Sequence, residues 1–99
     1  MTLETLKEGS YFTAVCAAYS GSVPLFFNWF KDGQAIPKQS NEITVNSASE
    51  MQSILSVKKI KANDSGNYTC SVQNDVGIDS HTVKVTVKGI HDDAIRNDN

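Results

Sequence analysis

The chain has 99 residues, 39% of them hydrophobic, and carries a formal net charge of −2. That is one domain's worth of sequence, close to the size at which a covalent cross-link matters to stability. Balanced charge with scattered Lys and Arg excludes a dedicated nucleic-acid surface, and no apolar run approaches the roughly 20 residues of a membrane span.

Taken in chain order, the apolar residues alternate, which is the period of half-buried strands. The pattern predicts strands over about 3–6, 10–17, 25–31, 35–37, 42–46, 53–58, 67–74 and 80–88. In the second, Phe12, Ala14 and Cys16 share a face; in the sixth, Leu55 and Val57; in the last, Val83, Val85 and Val87. Turn signals separate the strands at "KEGS", "SGSVP", "KDGQ", "ANDSG" and "NDVG". Short strands at this spacing predict an all-β antiparallel sandwich or barrel. Residues 1–89 read as one domain. The polar stretch 90–99 reads as a mobile linker toward a further domain or as an expression remnant. The N-terminus lacks the basic start and apolar stretch of a signal peptide, so if the native protein is secreted or membrane-anchored, its signal and anchor are expected outside this piece.

Cys16 and Cys70 stand 54 positions apart, each on a predicted strand at an inward parity. They form neither a redox CxxC pair nor a complete metal site, which leaves a disulfide or two buried thiols. Trp29 follows Cys16 by thirteen residues, and Tyr68 precedes Cys70 by two within "DSGNYTC". Through these residues the chain resembles the immunoglobulin superfamily, in which a buried Trp packs on an inter-sheet disulfide and a Tyr hydroxyl ties down the corner before the second Cys. The resemblance implies an immunoglobulin-like β-sandwich of the intermediate (I-set) type, a Cys16–Cys70 bridge, and a structural hub of Trp29, Tyr68, Asp64 and Gly66. Two departures stand out. The usual proline-bearing first strand is missing or truncated at Met1, and no Arg opens the predicted 42–46 strand to pair with Asp64, which implies that Asp64 shapes its own turn.

Catalysis is not predicted. His81 and His91 have no acid or cysteine set at ligand spacing, no Ser sits in a nucleophile elbow, and no metal or cofactor is expected. Two binding classes remain: an extracellular recognition module and an intracellular module like those of muscle filaments. Asn63 in "NDS" and Asn67 in "NYT" both fit the glycosylation pattern, which has meaning only in a secretory chain, and alternation turns Asn67 to solvent. Within the extracellular class, "SGSVPLFFNWFKDG" resembles the arthropod Dscam family of homophilic adhesion receptors, including its shortened chelicerate relatives. Other neural adhesion receptors and hemolin-like immune proteins are the alternatives. The Dscam resemblance implies self-recognition on opposed cells, a protein partner, no small-molecule substrate, and membrane attachment through other segments.

With Trp29 inward, Leu25 and Phe27 also point inward, while Phe26, Asn28 and Phe30 occupy the outer face. Phe26 reads as an interface anchor beside Thr82, with Asn28, Phe30, Thr69, Ser71 and Lys84 as partner-binding residues alongside; packing near Ile36 is the alternative reading of Phe30. A second, lower-ranked face carries Thr44 and Ile54. The Lys58, Lys59 and Lys61 group suggests either a heparin-type patch or an ordinary solvated surface.

Overall fold

The computed structural model describes residues 2–18, 24–37 and 42–89. Among the described residues there are eight strands: β1 (Thr2–Lys7), β2 (Phe12–Ala17), β3 (Phe26–Lys31), β4 (Gln34–Ala35), β5 (Ile43–Ser49), β6 (Gln52–Val57), β7 (Gly66–Gln73) and β8 (Ile78–Lys88). They form two sheets, ordered β1-β8-β7-β3-β4 and β2-β6-β5. All neighbours run antiparallel except β1, which lies parallel to β8.

Local sequence explains the turns. Asp32 and Gly33 both take positive φ (50° and 84°) between the paired Lys31 and Gln34, the geometry a two-residue hairpin requires and Asp-Gly supplies. Gly9, at φ 91°, closes the β1–β2 turn. At the β7–β8 hairpin the Asn74 side chain accepts from the backbone N–H of Val76 and of Gly77.

Alternation then builds the core. Along β6, Ser53, Leu55 and Val57 are buried while Gln52, Ile54 and Ser56 are not. Leu55 and Val57 meet Phe12, Trp29, Ile60, Tyr68, Cys70, Val85 and Val87 between the sheets. Cys16 on β2 and Cys70 on β7 are bridged, joining one sheet to the other across 54 residues of chain. Closing a loop of that length stabilises a fold by about 4 kcal/mol in the chain-entropy model, a large share of a small domain's total.

Every strand differs from the sequence reading at one or both ends, three of them as follows. The strand expected over 42–46 continues to Ser49 through a bulge between Ser47 and Ser49. Its last residues carry no apolar alternation, but backbone pairing with β6 does not need one. The last strand begins at Ile78 rather than 80, because the hairpin pairs Gln73 with Ile78. The 35–37 strand shrinks to Gln34–Ala35. A short 3-10 turn (Ala62–Asp64), read from sequence only as a turn, precedes β7. The tail from 90 and the loop around 20–23 lie outside the described residues.

Because β1 joins β8, the outer edge of β2 has no strand neighbour among the described residues. A cleft of about 590 Å³ opens there between β1 and β2, reaching down to Trp29, Tyr68 and the Cys16–Cys70 bridge. Val15 on the outer side of β2 is correspondingly 59% exposed.

Candidate protein-interaction face

The hub residues lie together. The Trp29 indole N–H donates to Ser53 Oγ at 2.9 Å in the buried interior. The Tyr68 hydroxyl donates to the Asp64 carbonyl at 2.6 Å, and its ring lies 5.8 Å from that of Phe12. Burial first, then the charges of Asp64 and Asp32, push the Tyr68 hydroxyl up to about 12. Asp64 is buried, and its Oδ2 accepts the Lys61 backbone N–H at 2.7 Å, so its carboxylate caps the turn that carries it. Gly66 has φ 153°, and a Cβ there would fall 2.6 Å from Asp32 Oδ2. Asp32 Oδ1 in turn accepts the Asn67 N–H at 2.9 Å. Gly66 is therefore needed both for its backbone angle and for the room it leaves.

Register places the outer face of the five-stranded sheet in rows. Phe26 faces Gln73, and Gln73 faces Ile78; Asn28, Ser71 and Ser80 form the next row; Phe30, Thr69 and Thr82 the third; Asn67 and Lys84 the fourth, with Leu3 beyond. β3 pairs without a break from Phe26 to Lys31, so the parity set by Trp29 holds along the strand. Phe26 is 58% exposed and Ile78 68%, with Val76 exposed at the adjoining hairpin tip. Asn28 and Lys84 are exposed, and Thr69 is half-buried and hydrogen-bonded to Thr82 at 2.8 Å.

Two readings are corrected. Ser71 belongs to this face by register but is buried, so it offers a partner no contact surface. Phe30 is half-buried opposite Ala35 and not beside Ile36, which packs against the core from the other side of the strand. On the second face, Thr44 and Ile54 are half-buried, and Val15 is the exposed apolar residue.

Sequence reasoning missed Ile78, Val76 and Ser53. Ile78 was within reach, since the inward parity of Val83 makes even-numbered residues of that strand outward; it was lost only because the strand was started too late. Ser53 carries no sequence signal of its bond to Trp29, which exists only across the sheet interface.

Both candidate sugar acceptors are exposed. Asn67 stands on the outer face beside Lys84, six residues along β7 from Gln73, or about 20 Å from the Phe26 row. Asn63 lies in the 3-10 turn, where its carbonyl accepts from Lys31 Nζ at 2.7 Å. Among the described residues no cluster of His, Cys, Asp or Glu could hold a metal ion.

Two packed sheets, a bridge between them, a Trp beside that bridge and a Tyr tying the corner before the second Cys define a disulfide-bridged β-sandwich. The immunoglobulin-domain family model matches residues 1–87, and the chain belongs to the immunoglobulin superfamily. It is 33% identical over 85 residues to cell adhesion molecule Dscam2 of Drosophila melanogaster, covering 86% of this chain and 4% of that protein. Among solved structures it is similar to the Dscam1 Ig7 domain, isoform 9, with a TM-score of 0.80 at 23% identity, covering 85% of this chain and 88% of that one. The titin I-band fragment I67–I69 superposes with a TM-score of 0.78 at 28% identity, covering 88% of this chain and 30% of the fragment.

Proposed function

We propose that the chain is an extracellular recognition module of a cell-adhesion receptor. In this reading it pairs with a second copy of itself, or with a close relative, through the outer face of the five-stranded sheet. The observation that carries the reading is Phe26: a large aromatic, 58% exposed, next to the polar row of Asn28, Ser71 and Ser80. Ile78, on the far side of Gln73 in the same row, and Val76 at the hairpin tip add exposed apolar surface at that end, with Asn28 and Ser80 in the next row. Lys84, about 20 Å away beside Asn67, falls at the rim, and a sugar on Asn67 would leave the Phe26 end open. Weak pairing suffices, because many receptors across one cell contact gain avidity without new contacts.

The similarity to Dscam2, named a cell adhesion molecule, supports this class. The likeness to titin supports an intracellular filament module instead. The bridged cysteines favour an oxidising compartment, and the two exposed sequons favour the secretory route. The reading assigns no catalytic step, cofactor or small-molecule substrate, and leaves membrane attachment to segments outside this chain. Sedimentation equilibrium over a wide concentration range, on the chain and on Phe26→Ala, tests it. Concentration-dependent dimer that Phe26→Ala removes supports the reading; a strict monomer, or a dimer indifferent to Phe26, sinks it.

A further inference from the structure

Five of the nine Lys and Arg residues gather at one end of the sandwich, although the chain as a whole is slightly acidic. Lys7 and Lys88 are register partners at the ends of β1 and β8. The turn that follows Lys7 stitches them to the segment holding Lys58, Lys59 and Lys61: Glu8 N–H donates to the Lys88 carbonyl at 2.7 Å, Gly9 N–H to the Ile60 carbonyl at 2.8 Å, and Ile60 N–H to the Ser10 carbonyl at 2.9 Å. Residues distant in sequence thus form one pole.

The acids at that pole are largely engaged. Glu42 pairs with Lys61, Asp64 is buried and occupied by the Lys61 backbone N–H, Asp32 beside Gly66 accepts the Asn67 backbone N–H, and Glu8 is half-buried in the turn. Lys58 and Lys59 are exposed, and Tyr11, 62% exposed, stands one residue beyond the paired Phe12 just as Lys58 stands one beyond the paired Val57.

We propose that this pole binds a linear sulfated polysaccharide. Lys7 and Lys88 emerge on the outer side of the five-stranded sheet, exposed Lys58 follows directly on Val57 at the end of the three-stranded one, and packed sheets lie about 10 Å apart. A single anion cannot span such a spread, and a flat membrane meets one side of it at a time. A flexible chain carrying repeated sulfates can wrap the end and touch both sides, with the exposed Tyr11 ring offering its sugars an apolar surface. The proposal rests on the extracellular reading only for where such a polymer is met.

The test is retention of the disulfide-bonded, sugar-free chain on immobilised heparin across a salt series, with phosphatidylserine vesicles as the competing anionic surface. The chain should be held despite its net negative charge, with the logarithm of the affinity falling linearly in log salt as counterions are released. Lys58→Ala/Lys59→Ala should lower that slope by about two, one per lysine, and Lys88→Ala by about one. Asn46→Asp/Ser47→Asp, which makes the same two-unit change in net charge away from this pole, should elute like the parent. No retention at low salt overturns the proposal, as does equal loss in the Asp control, or capture by the vesicles in preference to heparin. The variants change exposed side chains apart from half-buried Lys88, and a melting curve for each verifies the fold. Retention is read on isolated protein, so failed self-association and failed heparin binding are separate results.

Discussion

Trp29 and Ser53 are joined across the two sheets by a buried hydrogen bond of 2.9 Å from the indole N–H to the hydroxyl. Ser53 is also the register partner of Cys16, so the bond sits beside the disulfide at the centre of the sandwich. Neither group reaches water, and each satisfies the other.

Ser53→Ala leaves the Trp29 N–H buried without its acceptor. Losing a partner this way typically costs about 1–3 kcal/mol, more than the net worth of the bond itself. Urea unfolding of the oxidised protein should show that loss in midpoint with an unchanged slope; a variant as stable as the parent would mean that the indole finds another acceptor.

Tyr68 makes stability sensitive to alkali. Its hydroxyl is held at about 12 in the folded chain, above the ordinary value of 10.0. The folded state therefore keeps the proton that the unfolded state releases first. The resulting stability is whole below pH 10 and is lost as pH rises through 10 to about 12, at up to about 1.4 kcal/mol per unit. Tyr68→Phe also loses the hydrogen bond to the Asp64 carbonyl, so it should be less stable at neutral pH and fall less steeply between pH 10 and 12. Unfolding curves at several pH values for both proteins check this; equal slopes would reject the assignment.

At the apolar end of the outer face, truncating an anchoring aromatic costs upwards of about 2 kcal/mol of association, roughly thirtyfold in Kd. Phe26→Ala should show that weakening with its melting temperature nearly intact, because the side chain is 58% exposed. Ile78→Ala should weaken pairing in the same direction, and Ile54→Ala, on the opposite sheet, should not. A Phe26→Ala protein that loses melting temperature but keeps its self-association would make Phe26 a packing residue.

Made in a secreting animal cell, the chain should carry a sugar at Asn67, with Asn63 used less because it lies in the tight 3-10 turn. Mass spectrometry before and after glycosidase treatment reads the occupancy. A mass indifferent to the enzyme would count against the secretory reading.

Much of this protein follows from its sequence because strand formation leaves a period-two imprint. Phe12, Leu55, Val57, Val83 and Val85 could be assigned to the interior from alternation, and the Asp32-Gly33 and Gly9 turns from backbone chemistry. The Cys–Trp–Tyr spacing then selects one sandwich among many, because a bridge between two sheets constrains which strands face each other. The parity of Trp29 sufficed to turn Phe26 outward. Tertiary structure alone decided the rest. Pairing across strands brings Ile78 into the Phe26 row and Asn67 beside Lys84, and close neighbours cover Ser71 on a face that alternation leaves open. Backbone hydrogen bonds through the β1–β2 turn gather Lys7 and Lys88 with Lys58, Lys59 and Lys61. Alternation tells each residue which side of its own strand it occupies; which residues become neighbours depends on register and sheet order, set by the energy of the whole sandwich and written in no local segment.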